Sequence, residues 1–356
     1  MEAAAGCQAQ GCTVKETLTS TRATMAACGV KPRDQSDIVI AIPASFGSVA
    51  ILMILVRLVD RLWVRKISLG WDDHLVVIAM ILALPLNGLC FPMARGLGKE
   101  LWAIEFGTLR KTFQYLLFAE IFYVSSEMFV QLSFLAFYLR VFKIPVYRKV
   151  TYGLMVLVIC FGVTNTFAMI FQCTPISFFW ESWAAETTGT CIDINIYAWF
   201  RSGTEIGIDV AILSVPIPQL LELQMSWKKK IQVLSVFSVG FLITLVSILR
   251  LQALIQFSKT TNPTYDNAPA IYWSILETDM FIICANMPAM RSFLSAVRPS
   301  WFSSTENSNP PRSTGYLSHD KLGSHGQYRR QPSDGHQSDV ELVGSLSEGN
   351  TSKVYV

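Results

Sequence analysis

Charged residues are scarce in this chain. Of its 356 residues only 15% are Asp, Glu, Lys or Arg, while 51% are hydrophobic. Soluble proteins average about 25% charged residues. The balance excludes a disordered protein, a nucleic-acid-binding domain and an ordinary cytosolic enzyme. The formal net charge is +3, so the overall charge indicates no partner.

Motifs that support enzymatic chemistry are also missing. The sequence has no Walker loop, no HExxH and no GxSxG. No lysine lies in the apolar windows given below, and a retinal Schiff base needs one inside the bundle. We therefore predict a protein that is not an enzyme, not a light-driven pump, and without cofactor or metal. His74 beside Asp72 and Asp73 could hold a cation, but we favour a solvated helix start there.

Long apolar stretches dominate instead. A helix needs about 20 apolar residues to cross the hydrocarbon core of a bilayer. Seven windows qualify, and the third, fifth and seventh contain acidic residues. They cover residues 38–56, 75–94, 113–138, 152–172, 197–221, 231–255 and 270–290. We predict an all-α, multi-pass membrane protein whose residues 37–298 form a bundle of seven transmembrane helices in the lipid bilayer.

The distribution of Lys and Arg predicts the orientation, because positively charged loops stay in the cytoplasm. The loops after the first, third and fifth windows hold eleven of these residues, and the other three loops hold five. The N-terminus is predicted to lie outside. Residues 299–356, rich in Ser, are predicted to be a disordered cytoplasmic tail. Candidates for contact with a cytoplasmic partner are Arg140, Lys228, Lys229 and Lys230.

Several ionisable residues lie at membrane depth, where they are costly and usually functional. Arg201, Glu205 and Asp209 follow one another at i,i+4 steps and form one polar stripe. Such residues could be inter-helix pairs that fix packing and nothing more. As a set converging on one bundle, we interpret them as the lining of a ligand cavity. The candidates are Glu120, Glu127, Gln131, Arg201, Glu205, Asp209, Arg250, Glu277 and Asp279.

The eight cysteines divide by compartment. Cys173 and Cys191 flank the predicted outer loop between the fourth and fifth windows, where a disulfide can form and persist. The alternative is two unpaired thiols at the membrane surface. Cys7, Cys12 and Cys28 lie in residues 1–36, which resemble the C-terminal part of a CFEM domain, the eight-cysteine module of fungal extracellular membrane proteins. Only three cysteines match, which implies a truncated gene model or a degenerate domain.

The membrane region resembles the fungal rhodopsin-like domain of seven-helix receptor-like proteins in filamentous fungi. Segments that carry the resemblance are GWDDHLVV, CTPISFFW, DVAILSVPIPQLLELQMSWKKKIQV and YWSILETDMFIICANMPAMR. The family often has a Lys where this chain has Gln131, so a role for charge at that point does not carry over. The DRY and NPxxY motifs of animal receptors are absent, so G-protein coupling does not follow from a motif.

Two functions remain open at this stage. The resemblance implies a receptor-like protein, placed in the plasma membrane, that senses an unidentified extracellular ligand. It would signal to a heterotrimeric G protein or a cytoplasmic kinase. The alternative is an accessory membrane protein of a secondary-metabolite gene cluster, which moves or senses the product.

Overall fold

A computed structural model describes residues 12–142, 144–218, 227–257 and 262–297. The predicted tail at residues 299–356 and Cys7 lie outside the described residues. The side chains of Lys228, Lys229 and Lys230 also lie outside them, although their backbone belongs to a helix.

The described chain is almost entirely helical. A two-stranded antiparallel ribbon, β1 (Cys173–Thr174) and β2 (Thr190–Cys191), pairs Cys173 with Cys191. Short helical turns cover Leu101–Ala103, Phe178–Glu181, Ser182–Ala184 and Pro263–Asp266. The long helices are α1 (Val14–Ala27), α2 (Ser36–Val64), α3 (Trp71–Met93), α4 (Phe106–Val141), α5 (Pro145–Ile170), α6 (Ile194–Ser214), α7 (Trp227–Phe257) and α8 (Ala268–Val297).

Five of the described helices are long and apolar enough to cross a membrane. They are α2, α3, α4, α5 and α8, the last together with the turn that precedes it. In α7, whose side chains are described from Gly240 onward, the described apolar helix covers Gly240–Ile255. Helix α6 carries the stripe of Arg201, Glu205 and Asp209. Each predicted window overlaps one helix from α2 to α8, and the number of seven spans stays a prediction.

The outer surface of the bundle is apolar and its interior holds charge. Phe241 on α7 is 70% exposed, whereas Arg250 on the same helix is 1% exposed. Lipid is the solvent that accommodates such a surface, because it makes burial of apolar side chains unnecessary. Trp63 and Trp71 are also highly exposed, near the α2–α3 loop, as is typical of tryptophans at a membrane interface.

Helix α4 is the centre of the packing. It contacts α3, α5, α6 and α8, while α8 also packs against α2 and α7. Buried apolar residues form two clusters, one containing Leu116 and Ile275, the other containing Leu135 and Ile282. Along α4 and α8, buried polar residues lie between these two clusters, so the bundle has a polar layer between two apolar ones.

The end of the bundle that carries the Cys173–Cys191 disulfide, here the disulfide end, is covered by the N-terminal segment. A capping box at Thr13 and Glu16 starts α1. Arg22 on α1 donates to the Trp102 carbonyl oxygen at 2.8 Å. Lys15 pairs with Glu186 in the disulfide loop at 2.6 Å. These contacts join the N-terminal segment to two loops of the bundle.

A turn at Gly98 joins the segments at this end of the bundle. Gly98 has a φ of +87°, and its amide donates to the Thr264 carbonyl oxygen at 2.9 Å. A Cβ at this position would lie 3.0 Å from the Ser36 backbone nitrogen. Only glycine adopts this φ without strain, and here the neighbouring backbone also leaves no room for a side chain.

We therefore expect Gly98→Ala to destabilise the protein by more than Gly29→Ala. Gly29 also has a positive φ, +66°, but a Cβ there would meet nothing within 4 Å. The left-handed backbone costs alanine about 1 kcal/mol at either position, and the clash adds to that cost only at Gly98. Thermal unfolding of both variants in detergent micelles measures the difference, and equal melting temperatures would contradict this account.

Candidate functional site

Four helices meet in a buried group of charges that we call the central cluster: Tyr123, Glu127, Arg201, Arg250 and Glu277. Arg201 on α6 donates to Glu127 on α4 at 2.7 Å. Arg250 on α7 lies 3.0 Å from Glu277 on α8. Both ion pairs are almost completely buried. Each pair joins two helices, because an unpaired charge at this depth is strongly unfavourable.

Tyr123 on α4 joins the two pairs. Its hydroxyl oxygen lies 2.7 Å from a Glu277 carboxylate oxygen and 3.1 Å from a Glu127 oxygen. The Arg201 guanidinium lies 4.8 Å from the centre of the Tyr123 ring, and that of Arg250 lies 5.4 Å from it. Both distances are within the range of cation–π attraction. The tyrosine therefore lies between two cations and two carboxylates.

The cluster continues along α6 towards the other end of the bundle. Gln131 on α4 donates to Glu205 at 2.8 Å and to Asp209 at 2.9 Å. Ser247 on α7 donates to Glu277. One amide thus bridges two acids of the predicted polar stripe, and that stripe faces α4.

A cavity of about 350 Å³ lies at the disulfide end of the bundle. Three residues of the central cluster, Tyr123, Arg201 and Arg250, line it. Most of the other lining is apolar or aromatic, and Cys191 and Trp183 from the disulfide loop contribute to it. The volume is that of a small-molecule site.

The nine predicted cavity residues divide into three groups. Glu120, Arg201 and Arg250 line the cavity, and Glu120 accepts a hydrogen bond from Gln172 at 3.3 Å. Asp279 lies elsewhere and accepts a hydrogen bond from Asn87 on α3 at 3.0 Å. The remaining five are absent from the cavity lining and belong to the central cluster or its continuation: Glu127, Gln131, Glu205, Asp209 and Glu277.

The predicted disulfide is present, between Cys173 and Cys191. It closes the loop that contributes Trp183 to the cavity. Cys12 and Cys28 in the N-terminal segment are exposed thiols.

At the other end of the bundle a second charge group, the arginine–aspartate network, consists of the buried residues Arg57, Asp72 and Asp73 and the exposed Arg140. Arg57 on α2 donates to Asp72 and to Asp73 on α3, each at 2.7 Å, and to the Ala285 carbonyl oxygen on α8, also at 2.7 Å. Arg140 on α4 lies 3.1 Å from Asp72. Four helices are therefore joined at this end too.

The favoured interpretation of Asp72 and Asp73 as a solvated helix start is wrong. Both carboxylates are buried, because α2 continues to Val64 and brings Arg57 beside them. Arg57 follows the first predicted window and is one of the eleven loop residues behind the predicted orientation, but it lies inside α2. Sequence reasoning also did not select Tyr123, although it stands four residues before Glu127 and hence on the same face of α4.

The fungal rhodopsin domain matches residues 56–296 of this chain. The chain belongs to the fungal rhodopsin domain family. It is a multi-pass membrane protein, and the matched segment contains both charge groups and most of the residues that line the cavity. No solved structure matches the chain.

The chain is similar to proteins named as a membrane protein, a gene cluster protein and a receptor. A SAT4 family membrane protein of Emericella nidulans is 32% identical over 49% of this chain and 44% of its own length. This chain thus spans less than half of that relative. The polyenoic acids biosynthesis gene cluster protein Ba17b of Metarhizium anisopliae is 24% identical over 71% of this chain and 72% of its own length. Receptor GIN3 of Arthrobotrys oligospora is 27% identical over 30% of this chain and 28% of its own length.

The Arg250–Glu277 pair should show strong coupling in a double-mutant cycle. Arg250→Gln or Glu277→Gln alone leaves a buried charge without its partner, which typically costs about 3–5 kcal/mol. The double variant removes both charges and should lose less than the sum of the single losses. Unfolding by denaturing detergent measures these losses.

The exposed pair of Lys15 and Glu186 is the matched control for this cycle. Water screens that pair, so the corresponding glutamine substitutions should change stability little and show almost no coupling. Additive losses at Arg250 and Glu277 would mean that the two side chains do not form an ion pair in the folded protein.

Proposed function

We propose that this chain is a seven-helix receptor-like protein of the plasma membrane that senses an extracellular cue and signals to the cytoplasm. The observation that carries the proposal is that Tyr123, Arg201 and Arg250 belong both to the cavity lining and to the central cluster. These side chains line the cavity and also hold α4, α6, α7 and α8 together. A ligand that contacts them changes the relative energies of helix arrangements, and so shifts the population between two states.

The opposite end of the bundle is where we place the output. Helices α4 and α8 take part in both the central cluster and the arginine–aspartate network. A shift of either helix at the cavity therefore acts on Arg57 and Arg140. We propose that Arg140 and the lysines at 228–230 contact a heterotrimeric G protein or a kinase. The similarity to a protein named Receptor GIN3 supports a receptor role.

The proposed orientation places the disulfide end outside the cell. A disulfide persists in an oxidising compartment, which supports an extracellular position for Cys173 and Cys191. Residues 1–36 then form an extracellular segment, for which we keep the CFEM-like assignment as a proposal. Residues 299–356 then form a disordered cytoplasmic tail.

Epitope tags test this orientation in the full chain. An N-terminal tag should bind antibody on intact cells, and a C-terminal tag should bind it only after permeabilisation. An even number of spans would instead place both tags on the same side. A tag in the loop after α2 serves as the control and should behave like the C-terminal one.

Signalling is tested with cells that express the full chain. We expect at least one member of a panel of small carboxylates, alkylamines and sugars to change cytoplasmic cAMP or kinase phosphorylation. Ala198→Phe should abolish the response at equal surface expression, because Ala198 lines the cavity and a phenyl ring would fill it without altering a charge. Unchanged signalling in Ala198→Phe would place the ligand elsewhere, and silence across the panel would count against a receptor.

A second function is favoured by one comparison. The Metarhizium anisopliae relative, named as a gene cluster protein, is similar over 71% of this chain. We propose as the alternative an accessory protein that moves or senses the product of a secondary-metabolite cluster. Deletion of the gene would then retain the product inside the cell, and reconstituted vesicles would take it up. Seven helices do not divide into the equal repeats that are common in secondary transporters, which favours the receptor.

A further inference from the structure

The two arginines of the cavity have more hydrogen-bond donors than their known partners use. In the described part of the chain, none of the three guanidinium nitrogens of Arg250 has a hydrogen-bond acceptor, although Nη1 is 3.0 Å from Glu277 in an ion pair. The Nε of Arg201 also has none. Arg250 is 1% exposed and lines the cavity. Buried donors of this kind are costly unless an acceptor reaches them.

The charges that face the cavity differ from those behind it. Arg201, Arg250 and Glu120 line the cavity, whereas Glu127 and Glu277 are absent from its lining. The guanidinium groups therefore lie between the cavity and the acids that neutralise them. Glu120 accepts a hydrogen bond from Gln172 with one of its two carboxylate oxygens. An entering ligand meets two cations and one hydrogen-bonded carboxylate.

From this arrangement we infer that the cavity binds a small amphipathic molecule through its carboxylate group. A carboxylate offers paired acceptors that match the parallel N–H donors of a guanidinium. A guanidinium has no acceptor, so it has nothing to offer an ammonium group and repels it. The rest of the ligand lies against Phe113, Met169, Phe179 and Trp183, which makes that part apolar. The inference rests on the proposed function and specifies the ligand class for it.

Binding to the purified full chain in nanodiscs tests the ligand class without any signalling step. The probes are 3-phenylpropionate, its amide and 3-phenylpropylamine, together with hexanoate, hexanamide and hexylamine. They share an apolar body within each series and differ in the head group. By calorimetry we expect at least one acid to bind at least tenfold more tightly than its amide and than its amine.

Variants assign the preference to the arginines. Arg250→Gln/Glu277→Gln removes the donor and its buried counter-charge together, so it avoids the stranded Glu277 carboxylate of the single variant. It should reduce the acid-over-amide preference at least threefold, with Arg201 still lining the cavity. Arg110→Gln is the matched control, because Arg110 is an arginine that pairs with Glu181 at 2.8 Å and does not line the cavity. That variant should keep the full preference. Ala198→Phe should prevent binding of every probe.

The outcomes separate this inference from the proposed function. Acids that bind no more tightly than amides or amines would overturn the ligand class, whether or not cells respond to the protein. A preference that survives undiminished in the folded Arg250→Gln/Glu277→Gln variant would overturn it as well. Selective acid binding, reduced at least threefold in that variant, would support the ligand class. If no cellular response accompanied such binding, the receptor role would fail and the ligand class would remain.

Discussion

The requirement that a guanidinium group buried in a membrane bundle be paired governs this structure. Arg201 and Arg250 come from α6 and α7, and their carboxylates come from α4 and α8. Both of these shortest ion pairs join different helices, although Arg201 also lies 4.0 Å from Glu205 on its own helix. The charge requirement therefore constrains how the four helices pack. Tyr123 links the two pairs through its hydroxyl and its ring. Apolar packing against lipid supplies no comparable specificity, because every apolar face is equally soluble there.

A second charge group, in which Arg57, Asp72 and Asp73 are buried and Arg140 is exposed, joins helices at the other end. Arg57 joins α2 to α3 and α8, and Arg140 adds α4. Helices α4 and α8 thus have a fixed electrostatic contact near each end, with apolar layers beside both. Rigid helices held at two points transmit a displacement from one point to the other. This makes the geometry suitable for a receptor, in which a cavity at the disulfide end and an output at the opposite end must be coupled.

The chemical character of the cavity depends on which charged side chains line it. Carboxylates outnumber guanidinium groups in the interior, and a count of charges alone would favour a cationic ligand. The cavity lining supports the anionic ligand that we infer, because two guanidinium groups, Arg201 and Arg250, line it with one carboxylate, Glu120, while Glu127 and Glu277 are absent from the lining. The aromatic residues of the disulfide loop complete the lining, and the Cys173–Cys191 bond keeps that loop over the cavity.

Helix positions, the membrane environment and the polar candidates followed from the sequence by itself, because the length of an apolar run and the spacing of residues along one helix are local properties. The disulfide could be predicted from two cysteines at the ends of one short loop. The partners of the buried charges could not. Glu120 and Glu127 share a face of α4, yet one lines the cavity and the other pairs with Arg201. Asp72 and Asp73 open a helix, yet they are buried beside Arg57. Such pairings depend on where helices distant in sequence cross, and only the tertiary structure decides that.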